Sequence, residues 1–206
     1  MNVGELLTAL RENILHDRSD RVAGDEDLLW SDATLIRYID EAQRRLARQA
    51  LVIRDGSTEE VTQVTLISGT NKYILHESVI AVLSARYEDD TSDLARAGHS
   101  AFDTYRTPDA AYFDPGLIAT LSPGKPVAYS TDEQMGEADD TSFGSVTLRV
   151  HPTPAADQAD KLVLLRVLRM PILRLTARNL HAVPEVPEAH HLNMLDWAAY
   201  LALRIV

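Results

Sequence analysis

Cysteine is absent from all 206 residues. That absence excludes a disulfide framework, thiolate zinc sites, iron–sulfur clusters and a cysteine nucleophile together. Aromatic residues make up only 6%, and positive charge is scarce: 20 Lys and Arg stand against 31 Asp and Glu, a formal net charge of −11. Such a chain repels phosphate, which argues against non-specific DNA binding over its whole surface. Long apolar runs are missing too. The longest, Trp197 to Leu203, lies between Asp196 and Arg204 and is far short of the ~20 residues a membrane-spanning helix needs. Glu5, Arg11 and Glu12 interrupt the first fifteen residues, so they form no signal-peptide apolar segment. No Asn-x-Ser/Thr acceptor hints at secretion. The expectation is a cytosolic protein, or a part assembled in the cytosol.

What is present is an ordinary globular balance, 45% hydrophobic and 25% charged with 9 Gly and 9 Pro. That is enough for one core or two small ones, with roughly 70% of the unfolded surface buried. Leu6, Leu7, Leu10 and Ile14 recur at helical spacing and predict a helix over about Val3–His16. The polar stretch Asp17–Asp27 reads as a loop. Ser31 is an N-cap with Asp32 in the first turn, and Leu35, Ile39, Ala42, Leu46 and Ala50 form one apolar stripe of a second helix, ended by Asp55-Gly56. Val61–Ile67, Tyr73–Leu75, Val79–Tyr87, Pro126–Thr131, Ser145–Val150 and Leu162–Arg169 read as strands. They follow one another without intervening helices, which favours an antiparallel sheet or sandwich over a βαβ layout. After the proline-punctuated 182–187 a last helix opens at Glu188 or Ala189 and runs to the final residue. It is apolar on nearly every side, so a single core face does not account for it. It is either sandwiched in the fold or partly turned to another subunit. The helix stops without Gly, Asn, Pro or a polar tail, so the natural chain is expected to continue. The fold class is α+β. Residues 1–56 with 188–206 form a helical bundle, and 57–187 form an inserted antiparallel β-sheet or sandwich domain, an insertion that loop entropy tolerates.

No constellation carries chemistry. His190-His191 cannot both ligate one metal from a regular helix, since neighbouring residues point about 100° apart. Glu188 and His191 have a usable spacing but no matching second pair. Gly98-His99-Ser100-Ala101-Phe102 lacks the closing Gly of a nucleophile elbow, and Ser68-Gly69-Thr70-Asn71-Lys72 is a hairpin turn rather than a phosphate loop. The acidic clusters 25–27, 88–90 and 139–140 lack the alternating ligands of a calcium loop and read as solvated loops. No catalytic residue, cofactor or metal ligand is assigned. The charge feature against the trend is Arg37, Arg44, Arg45 and Arg48 on one face of the second helix, with Arg54 beyond. This is either a solvated face with local pairs such as Glu41 and Arg45, or a basic surface complementary to an acidic patch on the next subunit.

The stretch Trp30-Ser31-Asp32-Ala33-Thr34-Leu35-Ile36-Arg37-Tyr38-Ile39-Asp40-Glu41-Ala42-Gln43-Arg44-Arg45-Leu46-Ala47-Arg48 resembles the second-helix signature of tailed-phage head-to-tail adaptor, or connector, proteins. Further pieces follow in the family's order: Lys72-Tyr73-Ile74-Leu75, Gly124-Lys125-Pro126 with Tyr129, and Val150-His151-Pro152-Thr153-Pro154. Arg169-Met170-Pro171, 186–191 and Leu195-Asp196-Trp197-Ala198 complete a set that spans almost the whole chain. The resemblance implies a non-enzymatic virion part, assembled in the host cytoplasm and located in the neck between head and tail. It implies a dodecameric homo-oligomeric ring beneath the portal protein that extends the DNA channel and meets a downstream tail or neck protein. Genomic DNA would pass without specific binding. The expected interface residues are Arg37, Arg44, Arg45, Arg48, Leu192, Leu195, Trp197, Leu201 and Arg204. Two other classes stay open on the residues alone. One is a polymer hydrolase with paired carboxylates in the β region; the other is a monomeric carbohydrate- or protein-binding β module with an aromatic platform, for which Tyr105, Tyr112 and Phe113 are the aromatics at hand.

Overall fold

The computed structural model describes residues 1–17, 29–96, 122–132 and 145–204. The chain divides into two compact units, Met1–Ile53 with Met170–Val206 and Arg54–Arg169. The expected α+β class holds, with helices at both ends and sheets between them.

In the first unit, α1 (Val3–Ala9) opens on a reciprocal cap. Asn2 Oδ1 accepts the Glu5 amide at 2.9 Å, and Glu5 Oε2 accepts the Asn2 amide at 3.0 Å, which satisfies donors that a helix start leaves free. The expected single helix to His16 is instead α-helical to Ala9 and π-helical over Leu10–Leu15. Arg11, on that π stretch, donates to Asp17 Oδ2 at 2.5 Å, the Trp30 carbonyl at 2.6 Å and Asp32 Oδ1 at 2.7 Å. It therefore ties together residues on either side of 18–28; the loop expected over Asp17–Asp27 lies outside the described residues except for Asp17. Helix α2 (Asp32–Ala50) starts at Ser31, whose Oγ accepts the Thr34 amide at 3.3 Å. It stops before Asp55-Gly56, because Leu51 adopts a left-handed conformation (φ 51°) and donates its amide to the Ala47 carbonyl. A leucine there costs about 1 kcal/mol that a glycine would not.

Helix α4 (His191–Arg204) follows a 3₁₀ turn, Glu188–His190, and packs along α2. Leu6, Leu10, Leu35, Ile39, Met194, Leu195, Ala198 and Ala202 share one buried cluster. The segment after Met170 joins it through Leu175, Ala182 and Val186. Side chains of α2 hold that segment in place: Asp40 Oδ1 accepts the Leu175 amide at 3.0 Å and Gln43 Oε1 the Glu185 amide at 2.9 Å. Backbone bonds from Val3 and Gly4 to the Ala182 and Leu180 carbonyls bind the same segment to α1.

The second unit holds two sheets over one apolar cluster. In the first, β8 (Leu162–Arg169) pairs antiparallel along one edge with β4 (Val79–Tyr87). Its other edge pairs with β2 (Gln63–Thr65) and then β1 (Arg54–Asp55). Strict alternation puts Val163, Leu165 and Val167 inside and Arg166 outside. The second sheet runs β3 (Lys72–Ile74), β7 (Thr147–His151), β6 (Ala128–Asp132), β5 (Ala95–Arg96), antiparallel except for the parallel β5–β6 pair. Its buried Tyr73, Tyr129, Leu148 and Val150 complete the cluster. The strand expected over Val61–Ile67 is shorter. Asp55 captures the amides of Ser57 and Thr58 and turns the chain into a short helix, α3 (Glu59–Thr62), before β2 begins.

Candidate assembly interface

Helix α4 resolves its all-round apolarity into two faces. Met194, Leu195, Ala198 and Ala202 point into the core with the buried His191. At 100° per residue, Leu192, Asp196, Tyr200 and Leu203 fall within about 80° of one another on the opposite side. There Leu192 is 60% exposed, Tyr200 48% and Leu203 61%, and Asp196 is exposed among them. Three large apolar side chains aligned on one exposed helical stripe are more than scattered surface leucines.

The expected interface residues separate by burial. Leu195 is 1% exposed; it is a core residue, and its place there corrects its assignment to a contact surface. Leu201 and Trp197 are half-buried against the core, and Arg204 is exposed in the last turn of α4. On α2, Arg37, Arg45 and Arg48 are exposed and Arg44 is half-buried. Arg37 lies over the Tyr38 ring at 5.5 Å. Arg45 does not depend on Glu41: its Nε donates to Gln49 Oε1 at 3.3 Å, and its guanidinium sits 3.5 Å from the Trp197 ring centroid. Trp197 in turn stacks on Tyr200, with centroids 4.7 Å apart and a 31° tilt. An Arg–Trp–Tyr stack thus joins the basic side of α2 to the exposed apolar stripe of α4. Trp197 Nε1 is buried and has no hydrogen-bond partner among the described residues.

Arg44 Nε donates to Asp40 Oδ2 at 3.2 Å, and Arg174 Nη1 approaches the same oxygen at 3.7 Å. Arg44 and Arg174 also line a cleft of about 430 Å³ with Glu41, Arg45, Arg48, Gln49 and Met170. Arg174, Asp196, Tyr200 and Leu203 are not among the interface residues expected from the sequence. Arg174 lies in an irregular segment where no period points to a partner. The other three are legible only once the phase of α4 against its core is known.

The histidine and acid motifs find structural partners. His191 Nε2 lies 2.9 Å from the Val186 carbonyl and its Nδ1 3.2 Å from the Met1 amino group, which also meets Glu188. No metal-holding group of three or more His, Asp or Glu occurs among the described residues. Glu88 and Asp89 bind Lys161, and Asp90 binds Lys125. The hydrogen bonds that the Lys161 ammonium donates to Glu88 and Asp89 push its pKa above the ordinary range. The clusters at 25–27 and 139–140, the stretch 98–102, and Tyr105, Tyr112 and Phe113 lie outside the described residues.

The described residues thus carry an exposed apolar stripe on α4 and a cationic side on α2, within an α+β fold. The chain belongs to the SU10 adaptor protein family, a family of phage head-to-tail adaptors, which matches residues 1–205. It is a structural protein of that class and a virion component. No curated protein matches the chain in sequence. No helix among the described residues is long and apolar enough to cross a membrane.

Proposed function

We propose that this adaptor forms a closed ring of identical subunits, a dodecamer in register with the portal, in the neck of the virion. The observation that carries the proposal is the exposed Leu192, Tyr200 and Leu203 stripe joined through Trp197 to the Arg45 side of α2. A ring is made from heterologous contacts, one face of each copy meeting a different face of the next. An apolar stripe beside a cationic one supplies such a surface: burial of the leucines and tyrosine drives association, and the arginines set register. One side of the ring meets the portal and the other a tail or neck protein. A net charge of −11 suits a channel through which DNA must slide without being gripped. The protein works by shape and contact rather than by catalysis, and the genome passes it unread.

Quantitative mass spectrometry of purified, DNA-filled particles tests this reading. A copy number equal to the portal's is the expected result. Absence from particles would remove the neck assignment, and a copy number in the hundreds would point to a shell protein instead.

A further inference from the structure

We infer that the arginine cleft on α2 is a receptor for the acidic β6–β7 connection, residues 133–144, of a neighbouring copy. The inference deepens the ring reading and rests on it. Arg44, Arg45, Arg48 and Arg174 line one cleft of about 430 Å³ with Glu41 as its carboxylate, and Arg44 and Arg174 both approach the buried Asp40. The cleft is therefore cationic on a chain of net charge −11. Two of the four have committed geometry: Arg44 is held by Asp40, and Arg45 by Gln49 and the Trp197 ring. Arg48 is exposed and makes no hydrogen bond or ion pair among the described residues. The Arg174 side chain is 71% exposed, and its contact with Asp40 is long at 3.7 Å. The negative end of the α2 dipole accounts for a cation at Arg48, but not for Arg174, which comes from another part of the chain.

The cleft suits carboxylates better than a phosphate chain. Glu41 stands among the arginines, where a continuous polyanion would meet it as well. A bounded cleft takes one or two carboxylate side chains, and guanidinium forks match carboxylates bidentately. Among the segments outside the described residues, 133–144 is the most acidic: Glu133, Glu137, Asp139 and Asp140 with no Lys or Arg. By contrast 18–28 carries Arg18 and Arg21, and 97–121 carries Arg106. The Asp132–Thr147 pair fixes where the connection leaves and re-enters its sheet. Its twelve residues can project up to about 20 Å from that pair. Each copy thus carries both a cationic cleft and an anionic connection, the pairing a head-to-tail ring requires.

Charge exchange tests the inference on the full chain. Arg48→Glu with Arg174→Glu makes one variant, and Glu137→Lys with Asp139→Lys and Asp140→Lys makes the other. In native mass spectrometry each alone is expected to lose the ring, while an equimolar mixture regains it with strictly alternating composition. A ring formed by either variant alone as readily as by wild type overturns the inference, as does a mixture that stays monomeric. If wild type itself forms no ring at high concentration, the ring reading fails separately, and direct binding then decides the cleft. A labelled 131–145 peptide should bind the triple-lysine chain and weaken at least about tenfold when Arg48→Glu and Arg174→Glu are added. No binding, or a cleft that takes duplex DNA instead of the peptide, overturns it. Should the glutamate pair lower the unfolding temperature, Arg48→Gln with Arg174→Gln makes the same comparison without repulsion.

Discussion

Asp55 sits in a strand of two residues, yet much of the closure of the β unit converges on it. Its Oδ1 accepts the Ser57 and Thr58 amides at 2.9 and 3.1 Å, and its Oδ2 accepts Thr58 Oγ1 at 2.7 Å and Arg169 Nε at 2.6 Å. Burial alone would raise its pKa, but the four hydrogen bonds outweigh burial and hold the carboxyl well below the ordinary carboxylate range. A depressed folded-state pKa means that this contribution to stability is complete above the unfolded value near 4. It is lost progressively as pH falls from there toward the folded value. Urea midpoints at pH 6 and pH 3 check this: Asp55→Asn should shrink the drop between them, because the variant has no carboxyl to protonate. Arg169→Met leaves the carboxylate buried without its cation and should cost about 3 kcal/mol at pH 6. An Arg169→Met cost below about 1 kcal/mol would mean that the three bonds from Ser57 and Thr58 suffice. The same residue shows where sequence reading ran short. Val61–Ile67 alternates like a strand, but local hydrogen bonds donated to Asp55 by Ser57 and Thr58 compete with pairing and convert its first residues to α3. Alternation carries no record of that competition.

Helices were read best where one face is apolar and the caps are chemical. Ser31 and the Leu35–Ile39–Ala42 stripe mark α2 because both are local properties of the chain, as is the apolar run that marks the strand at Leu162–Arg169. The end of α2 is not legible in the sequence, since a left-handed Leu51 is a conformation that residue type disfavours. Of the candidate interface, the all-round apolarity of α4 is legible, but which side faces the core depends on packing against α2, and Leu195 lies on the core side. The two faces make opposite predictions. Ala198 is fully buried, so Ala198→Leu overpacks the helix contact and should destabilise the monomer by about 1–3 kcal/mol. Leu203 is exposed, so Leu203→Asp should leave monomer stability within about 0.5 kcal/mol of wild type and weaken self-association by about tenfold or more. Thermal unfolding together with sedimentation velocity separates the two. Unchanged sedimentation for Leu203→Asp would remove the α4 stripe from the subunit contact.

For the molecule as a whole, the two proposed sources of association respond differently to salt. The arginine cleft and its acidic partner are screened by any electrolyte, with a Debye length near 10 Å at 0.1 M and near 3 Å at 1 M. Burial of Leu192, Tyr200 and Leu203 is not screened, and sulfate strengthens it by exclusion from the protein surface. If both act, raising NaCl from 0.05 to 1 M should weaken self-association by about tenfold. Sodium sulfate at matched ionic strength should weaken it distinctly less. In the Arg48→Glu, Arg174→Glu chain, chloride should no longer weaken association and should instead relieve the new repulsion. Light scattering across the two salt series reads all of this. Wild-type association that rises in both salts would assign the contact to the apolar stripe alone. Equal weakening in both would assign it to the charges, leaving the exposed face of α4 for the portal or the tail protein.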